Sequence, residues 1–291
     1  MSGIAIMTDS NCGIMPEEGR KRNIHVLPMP VIIDGHTYFE GVDITADEFY
    51  KKQASGAEIT TSQPSPGDVT DMWDDLLKDY DQVVFIPMSS GLSNTCQTAV
   101  MLSDDEPYKG RVFIINNHRI SVTQLQSVYD ARALAEEGKT AEEIRNILEK
   151  EALDASIYIA VDTLEYLKKG GRITPAAAAI GTVLRLKPVL TIQGGKLDSH
   201  AKTRGMKSAF RTMLQAVKDD ISSRFSHLKE QGVLKVGLAN TPMDEDALES
   251  FRSEMQKNFP DMELIYSPLT MSIGTHIGTG GLGIGVFRSH V

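Results

Sequence analysis

Four short, nearly unbroken apolar runs narrow the folds open to this chain more than any other feature: "IAIMTDS" from residue 4, "VVFIPMS" at 83–89, "VFIINN" from 112 and "IYIAVDT" from 157. A sheet with one wet face alternates apolar and polar side chains, whereas strands covered on both faces read as continuous apolar runs, the habit of parallel sheets packed between helices. Helical segments separate the last three runs. Ahead of the second run, another opens at Ser65-Pro66 with Asp68 as its capping partner, and Val69, Met72, Trp73, Leu76, Leu77 and Tyr80 then recur at helical spacing. Thr140 with Glu143 forms a second capping box after the break at Gly138. Between the first run and these helices, "VIIDGHTYFE" places Asp34-Gly35 between two β-prone stretches, a strong hairpin signal.

Beyond about residue 160 the pattern changes. Thr174-Pro175 starts an Ala-rich helix, "PAAAAIGTVLRL", and "PVLTIQGGKLDSHAK" reads as a hairpin turning at Gly194-Gly195. A helix over about 207–230, the strand "KVGLAN", another helix and the strand "ELIYSPL" follow. The expected architecture is α/β: a mostly parallel α/β domain over 1–160 and an α+β domain over 161–291.

Composition removes several classes. With 41% hydrophobic and 24% charged residues in 291, the chain is a water-soluble globular protein rather than a disordered or membrane one. Two cysteines, Cys12 and Cys96, occur without C-x-x-C or H-E-x-x-H, so no disulfide framework and no metal site is expected, and a reducing cytoplasm fits. "MSGIAIMTDSNCG" lacks the basic lead and long apolar stretch of a secretory signal. Residues 264–287 carry no Asp, Glu, Lys or Arg, but six glycines, Pro268 and several hydroxyls make them too polar to span a bilayer.

The net charge is −9, yet residues 165–211 carry a net +8, leaving −17 for the remainder. Such a cationic zone, with Arg172, Arg185 and Arg204 in it, can steer anions, phosphates or an acidic partner, or can simply be a solvated face. No nucleic-acid recognition motif accompanies the charge, and nucleic acid is not expected as a partner.

"GTGGLGIGVF" at 278–287 satisfies G-x-G-x-x-G through Gly278, Gly280 and Gly283. A dinucleotide loop must lead into a helix and a second strand, and only eight residues follow Gly283, among them an apparent closing strand. These glycines read better as places where something approaches the backbone closely.

Three stretches combine small polar side chains with turn-forming backbone: "ITTSQPSPGD" at 59–68, "SSGLSNTCQTA" at 89–99 and "SIGTHIGTGGLG" at 272–283. The second leaves a strand and enters a helix, putting Ser93 at the C-terminal edge of a parallel sheet, where ligands of open α/β folds bind. Gly91-Leu92-Ser93-Asn94-Thr95 lacks the second glycine of a nucleophile elbow, although a serine esterase or acyltransferase using Ser93 with His276 as base stays open. Ordinary capping or turn roles also suit Thr61 and Ser93. His276 is expected in a loop, with no carboxylate or second histidine near it in sequence.

Together with Thr8-Asp9-Ser10, "LKKGGRI" (167–173) and "KTRG" (202–205), the three stretches resemble the DegV family of bacterial fatty-acid-binding proteins nearly end to end. The resemblance implies a long-chain fatty acid held between the two domains, its carboxyl gripped by Thr61, Ser93 and His276. Ser62, Ser90, Gly91, Asn94, Thr95, Gly274, Thr275 and Gly278 would lie near the ligand. It further implies a carrier without catalysis of its own or other cofactor, presenting the carboxyl to a separate ATP-using fatty-acid kinase subunit that makes acyl phosphate. Arg172 and Arg204 would meet that subunit or, transiently, an anionic membrane surface. The chain departs from the family pattern at Asn94, at Cys96 and in "NNHRIS" (116–121), which bears on ligand length and partner recognition.

Elementary energetics fit a lipid. A tail of about fourteen methylenes contributes roughly 11 kcal/mol on burial, against about 0.5–1.5 kcal/mol for each neutral hydrogen bond. The tail would set affinity and the three polar side chains orientation, with no arginine clamp on the head group and "AAAAIGTVL" as a candidate tunnel wall or simply a close-packing helix.

Overall fold

The computed structural model describes residues 3–179 and 186–291. The first half runs β1 (Ile4–Asp9), α1 (Pro16–Lys21), β2 (His25–Leu27), β3 (Pro30–Ile33), β4 (His36–Phe39), α2 (Ala46–Ala54), β5 (Ile59–Thr61), α3 (Pro66–Leu76), β6 (Gln82–Ile86), α4 (Thr95–Ser103), β7 (Val112–Ile114), α5 (Val122–Glu136) and α6 (Ala141–Lys150). The second half runs β8 (Ala155–Ala160), α7 (Glu165–Gly170), α8 (Pro175–Ala178), β9 (Leu186–Ile192), β10 (Asp198–Arg204), α9 (Met206–Ser222), α10 (Ser226–Glu230), β11 (Leu234–Asn240), α11 (Glu245–Asn258), β12 (Leu264–Pro268), α12 (Met271–Ile277) and β13 (Leu282–Arg288).

Three sheets result. A parallel sheet of order β2-β1-β6-β7 carries the first three apolar runs, sandwiched between α3 and α4 on one side and α5 and α6 on the other. The Asp34-Gly35 hairpin forms, both residues taking positive φ, and with β5 it makes a small antiparallel sheet of order β4-β3-β5. The third is a mixed six-stranded sheet of order β10-β9-β8-β13-β11-β12. The hydroxyls of Ser65 and Thr140 each accept the amide three residues on, and their own amides donate to the Asp68 and Glu143 carboxylates, completing both capping boxes.

Three expectations are corrected. The run "IYIAVDT" supplies β8, which is not in the parallel sheet: it lies between β9 and β13 and pairs antiparallel with both. The change of sheet along the chain therefore falls before Ala155. A fully buried antiparallel strand has the same apolar profile as a parallel one, so the run itself cannot tell them apart. The helix expected over 207–230 breaks at Ser223, where backbone angles of −114° and −88° leave the helical region, into α9 and α10. His276 is not in a loop but on α12. The Ala-rich helix begins at its Thr174 cap as expected, and the rest of "AAAAIGTVL" after Ala179, with Arg185, lies outside the described residues.

β13 explains the terminal glycines. Leu282, Ile284 and Val286 point into the core formed with Phe210, Met213 and Phe251 of α9 and α11. On the opposite face the same strand presents Gly283 and Gly285 before Phe287, so two successive positions of that face have no side chain. A strand, not a helix, follows the glycines, and no pyrophosphate cradle exists there.

Candidate functional site

Gly283 and Gly285 of β13 bound a cavity of about 320 Å³ between the six-stranded sheet and the loops of the parallel one. Its walls are mainly apolar: Met29, Met88, Leu92, Ile157, Ile159 and Ile192 are among them. The polar side chains are few and come from separate elements. Thr61 ends β5, Ser93 lies in the turn that leads from β6 to α4, Ser272 and His276 belong to α12, and Arg172 follows α7.

The structure thus brings Thr61, Ser93 and His276 to one cavity, with Ser62, Asn94 and Arg172 also on its wall. Ser90, Gly91, Thr95, Gly274, Thr275, Gly278 and Arg204 do not line it. Several of them act as supports. Ser93 Oγ lies 2.9 Å from Thr95 Oγ1 and accepts the Thr95 amide at 3.2 Å. Ser90 Oγ accepts from Asn116 Nδ2 at 2.9 Å. Gly91 meets the β9–β10 hairpin backbone at Gly194 and Gly195, where a methyl group would collide with both. Arg204 is exposed at the end of β10.

His276 Nε2 is 2.9 Å from Thr61 Oγ1. Its Nδ1 edge packs onto the Cα of Gly170, a position that has no room for any side chain. Burial, reinforced by the Arg172 guanidinium, pushes the imidazole down to about 4, so it is neutral at physiological pH. Protonation in the unfolded chain occurs near 6.5, so its contribution to stability is complete above 6.5 and declines as pH falls toward 4. His276→Gln is expected to flatten this acid limb by on the order of 1–3 kcal/mol, measured by urea unfolding between pH 4 and 7.

Arg172 is the feature that differs from expectation at the head end, because a guanidinium does border the cavity. It is largely engaged with the protein itself, donating to the carbonyls of Leu92 and Gly170. A second concavity, of about 360 Å³, lies against the same spot and shares Thr61, Arg172 and His276 with the first. Gln53, Tyr166 and Lys169 line its far side.

α12 itself is held from elsewhere. Its N-cap, Thr270, makes no side-chain capping bond, and Glu40, immediately after β4, supplies the acceptor instead by taking the Met271 amide. Glu40 is fully buried, also accepts from Ser10 Oγ at 2.7 Å, and is pushed by burial up to about 7. Asp9 beside it is equally buried and accepts from the amides of Met88 and Asn11 and from Gln124, which oppose the upward effect of burial on its carboxyl. Sequence reasoning marked Thr8-Asp9-Ser10 but missed Glu40.

No group of three or more metal-ligating side chains occurs among the described residues, and no described helix is long and apolar enough to cross a membrane.

An α/β protein with a mainly apolar cavity, and with a threonine hydroxyl and a neutral imidazole paired on its wall, is the class this fold and site define. A profile of the DegV family of uncharacterised proteins matches residues 3–289, and the chain belongs to that family. It is 32% identical over 287 residues to a DegV domain-containing protein of Caldanaerobacter subterraneus, covering 98% of each chain. Among solved structures it is similar to a fatty-acid-binding DegV family protein of Thermus thermophilus, with 31% identity, a TM-score of 0.86 and coverage of 98% and 99%. It is also similar to DegV of Bacillus subtilis, a fatty-acid-binding protein, at 27% identity, a TM-score of 0.83 and 99% coverage of each.

Proposed function

We propose that this protein is a cytoplasmic carrier that binds one long-chain fatty acid in the cavity. The carboxyl lies at Thr61, Ser93 and His276, where a separate ATP-using kinase subunit converts it to acyl phosphate. The observation that carries this reading is the cavity itself: apolar walls leading to a Thr61–His276 pair at hydrogen-bond distance. Its volume falls at the lower end of the ~300–1,000 Å³ range of small-molecule sites. The fatty-acid binding of the Thermus and Bacillus relatives supports the ligand class.

With His276 neutral, head-group recognition rests on hydrogen bonds, and the adjoining concavity past Lys169 offers a partner access to the same atoms. Arg172, and Arg204 at the surface, are the residues we assign to partner or anionic-membrane contact. We divide the chain functionally at about residue 160, with the ligand between the two parts.

The esterase alternative lacks support in the geometry. His276 Nε2 pairs with Thr61 and Ser93 Oγ with Thr95, and no Ser93–His276 hydrogen bond is found among the described residues. It predicts a covalent acyl-serine adduct and ester turnover lost in Ser93→Ala.

Native mass spectrometry of the purified protein, followed by denaturation and extraction, tests the carrier reading. One non-covalent acyl chain per protein is expected. Delipidated protein that recovers no fatty acid from a mixed pool removes the proposal. The paired change Thr61→Val with His276→Ala is expected to weaken palmitate binding by about tenfold, from two neutral hydrogen bonds at ~0.5–1.5 kcal/mol each, as read by displacement of a fluorescent fatty acid.

A further inference from the structure

The helix that carries His276 is an unusual one for the chain to hold in place. Its sequence, Met271 to Ile277, is short, contains a glycine, and has no side-chain cap of its own. Orphan amides at a buried helix start need acceptors, and a carboxylate there also opposes the positive end of the helix dipole. Glu40 meets both needs from a distant part of the chain, since it belongs to the loop leaving the small antiparallel sheet, 231 residues away from Met271. The backbone of Ser272, a cavity-lining residue, also approaches its carboxyl.

We propose that Glu40 is a positioning residue for the carboxyl-binding end of the cavity: by fixing where α12 starts, it fixes the distance of His276 from Thr61. This rests on the reading that a fatty acid occupies the cavity. The mechanical path is short. Glu40 follows β4 directly, β4 pairs with β3, and β3 pairs with β5, whose last residue is Thr61. Glu40 and Thr61 therefore ride on one three-stranded sheet, and the Glu40 carboxyl ties that sheet to the start of the helix of His276, as the Thr61–His276 hydrogen bond ties it further along. The other side of α12 is braced by Gln53, which donates to the Gly274 carbonyl at 3.1 Å, and by Tyr50 against Gly274. Those contacts grip the middle of the helix; at its start Glu40 takes the Met271 amide, beside the Met271 side chain packed with Val31 and Ile33 and the Thr270 hydroxyl, which donates to Asn11.

Ser10 completes the arrangement. Its hydroxyl donates to Glu40 and accepts the Met29 amide at 3.0 Å, so the carboxyl cannot swing away without freeing a second buried group. Glutamine at position 40 keeps an oxygen for the Met271 amide, while its NH2 takes the place of the oxygen that accepts from Ser10, so the Ser10 hydroxyl must turn to accept it. Alanine removes the acceptor.

The test uses the full chain, first without ligand. In Glu40→Ala, the amides of the α12 first turn are expected to exchange with solvent at least tenfold faster, and the His276 imidazole NMR signals to move toward free-histidine positions. Glu40→Gln is expected to restore both. Palmitate and hexadecane are then titrated. Glu40→Ala is expected to weaken palmitate about tenfold and hexadecane less than twofold. In the His276→Ala background the same change is expected to have less than a twofold effect on palmitate, because nothing is left to position. An unmoved His276 spectrum in Glu40→Ala, or a palmitate loss that persists undiminished in His276→Ala, overturns the proposal. If Glu40→Ala does not fold, Glu40→Asp carries the same arms: its shorter side chain should shift the His276 signals and weaken palmitate, and a wild-type response in both overturns the proposal. A wild-type protein that binds neither palmitate nor hexadecane while the ligand-free arms succeed would instead count against the fatty-acid reading.

Discussion

Gly283→Leu is expected to weaken fatty-acid binding about a hundredfold while leaving the protein folded. The nearest atoms to a Cβ at this position are the Tyr158 carbonyl at 3.6 Å, the Ala239 carbonyl at 3.8 Å and Ile159 Cβ at 3.9 Å, ordinary contact distances. Its backbone is not in the left-handed region, so no strain opposes a side chain. The leucine would extend into the cavity and displace three or four methylenes of a bound tail, a loss of about a hundredfold at ~0.8 kcal/mol each. Displacement titration measures the loss, and circular dichroism with a thermal melt checks the fold. Unaltered palmitate affinity in a folded variant would place the tail elsewhere. The neighbouring glycine is a poorer choice, because a Cβ on Gly285 comes within 3.3 Å of the Thr123 methyl.

Lengthening the ligand from twelve to sixteen carbons is expected to tighten binding about two-hundredfold. Four added methylenes contribute ~0.8 kcal/mol each, or about a factor of four apiece. The gain should stop abruptly once the tail reaches the end wall, since a packed interior resists overfilling. A series of saturated acids from ten to twenty carbons, measured against one fluorescent competitor, gives both the slope and the break. An affinity that varies less than tenfold between twelve and sixteen carbons would mean that the tail is solvated, and would remove hydrophobic enclosure as the source of affinity.

What the residues disclosed, and what they hid, follows from how local each cause is. Capping boxes at Ser65 and Thr140 and the Asp34-Gly35 turn are made by residues within four positions of one another, and all were legible. The apolar run ending at Ala160 was legible as a buried strand, but its partners β9 and β13 lie far along the chain, and burial alone carries no sign of strand direction. α12 was hidden for a related reason. "SIGTHIG" has weak helix formers and no capping side chain, and the group that compensates is Glu40, which within "TYFEGVD" resembles any surface carboxylate. Among the site residues, the convergence of Thr61, Ser93 and His276 came from motif resemblance. No periodicity predicts that the end of β5, the turn before α4 and a helix near the C-terminus share a cavity. The glycine alternation of β13 was readable as close approach, but not that the space it leaves is a cavity.

The meeting of Gly91 with the tip of the β9–β10 hairpin constrains how this sequence can drift. Backbone faces backbone there, and a methyl group on Gly91 fits only if the hairpin retreats. Substitutions at position 91 should therefore appear in descendants only alongside a shortened or re-angled hairpin at 194–195, so that two segments a hundred residues apart evolve as a single unit.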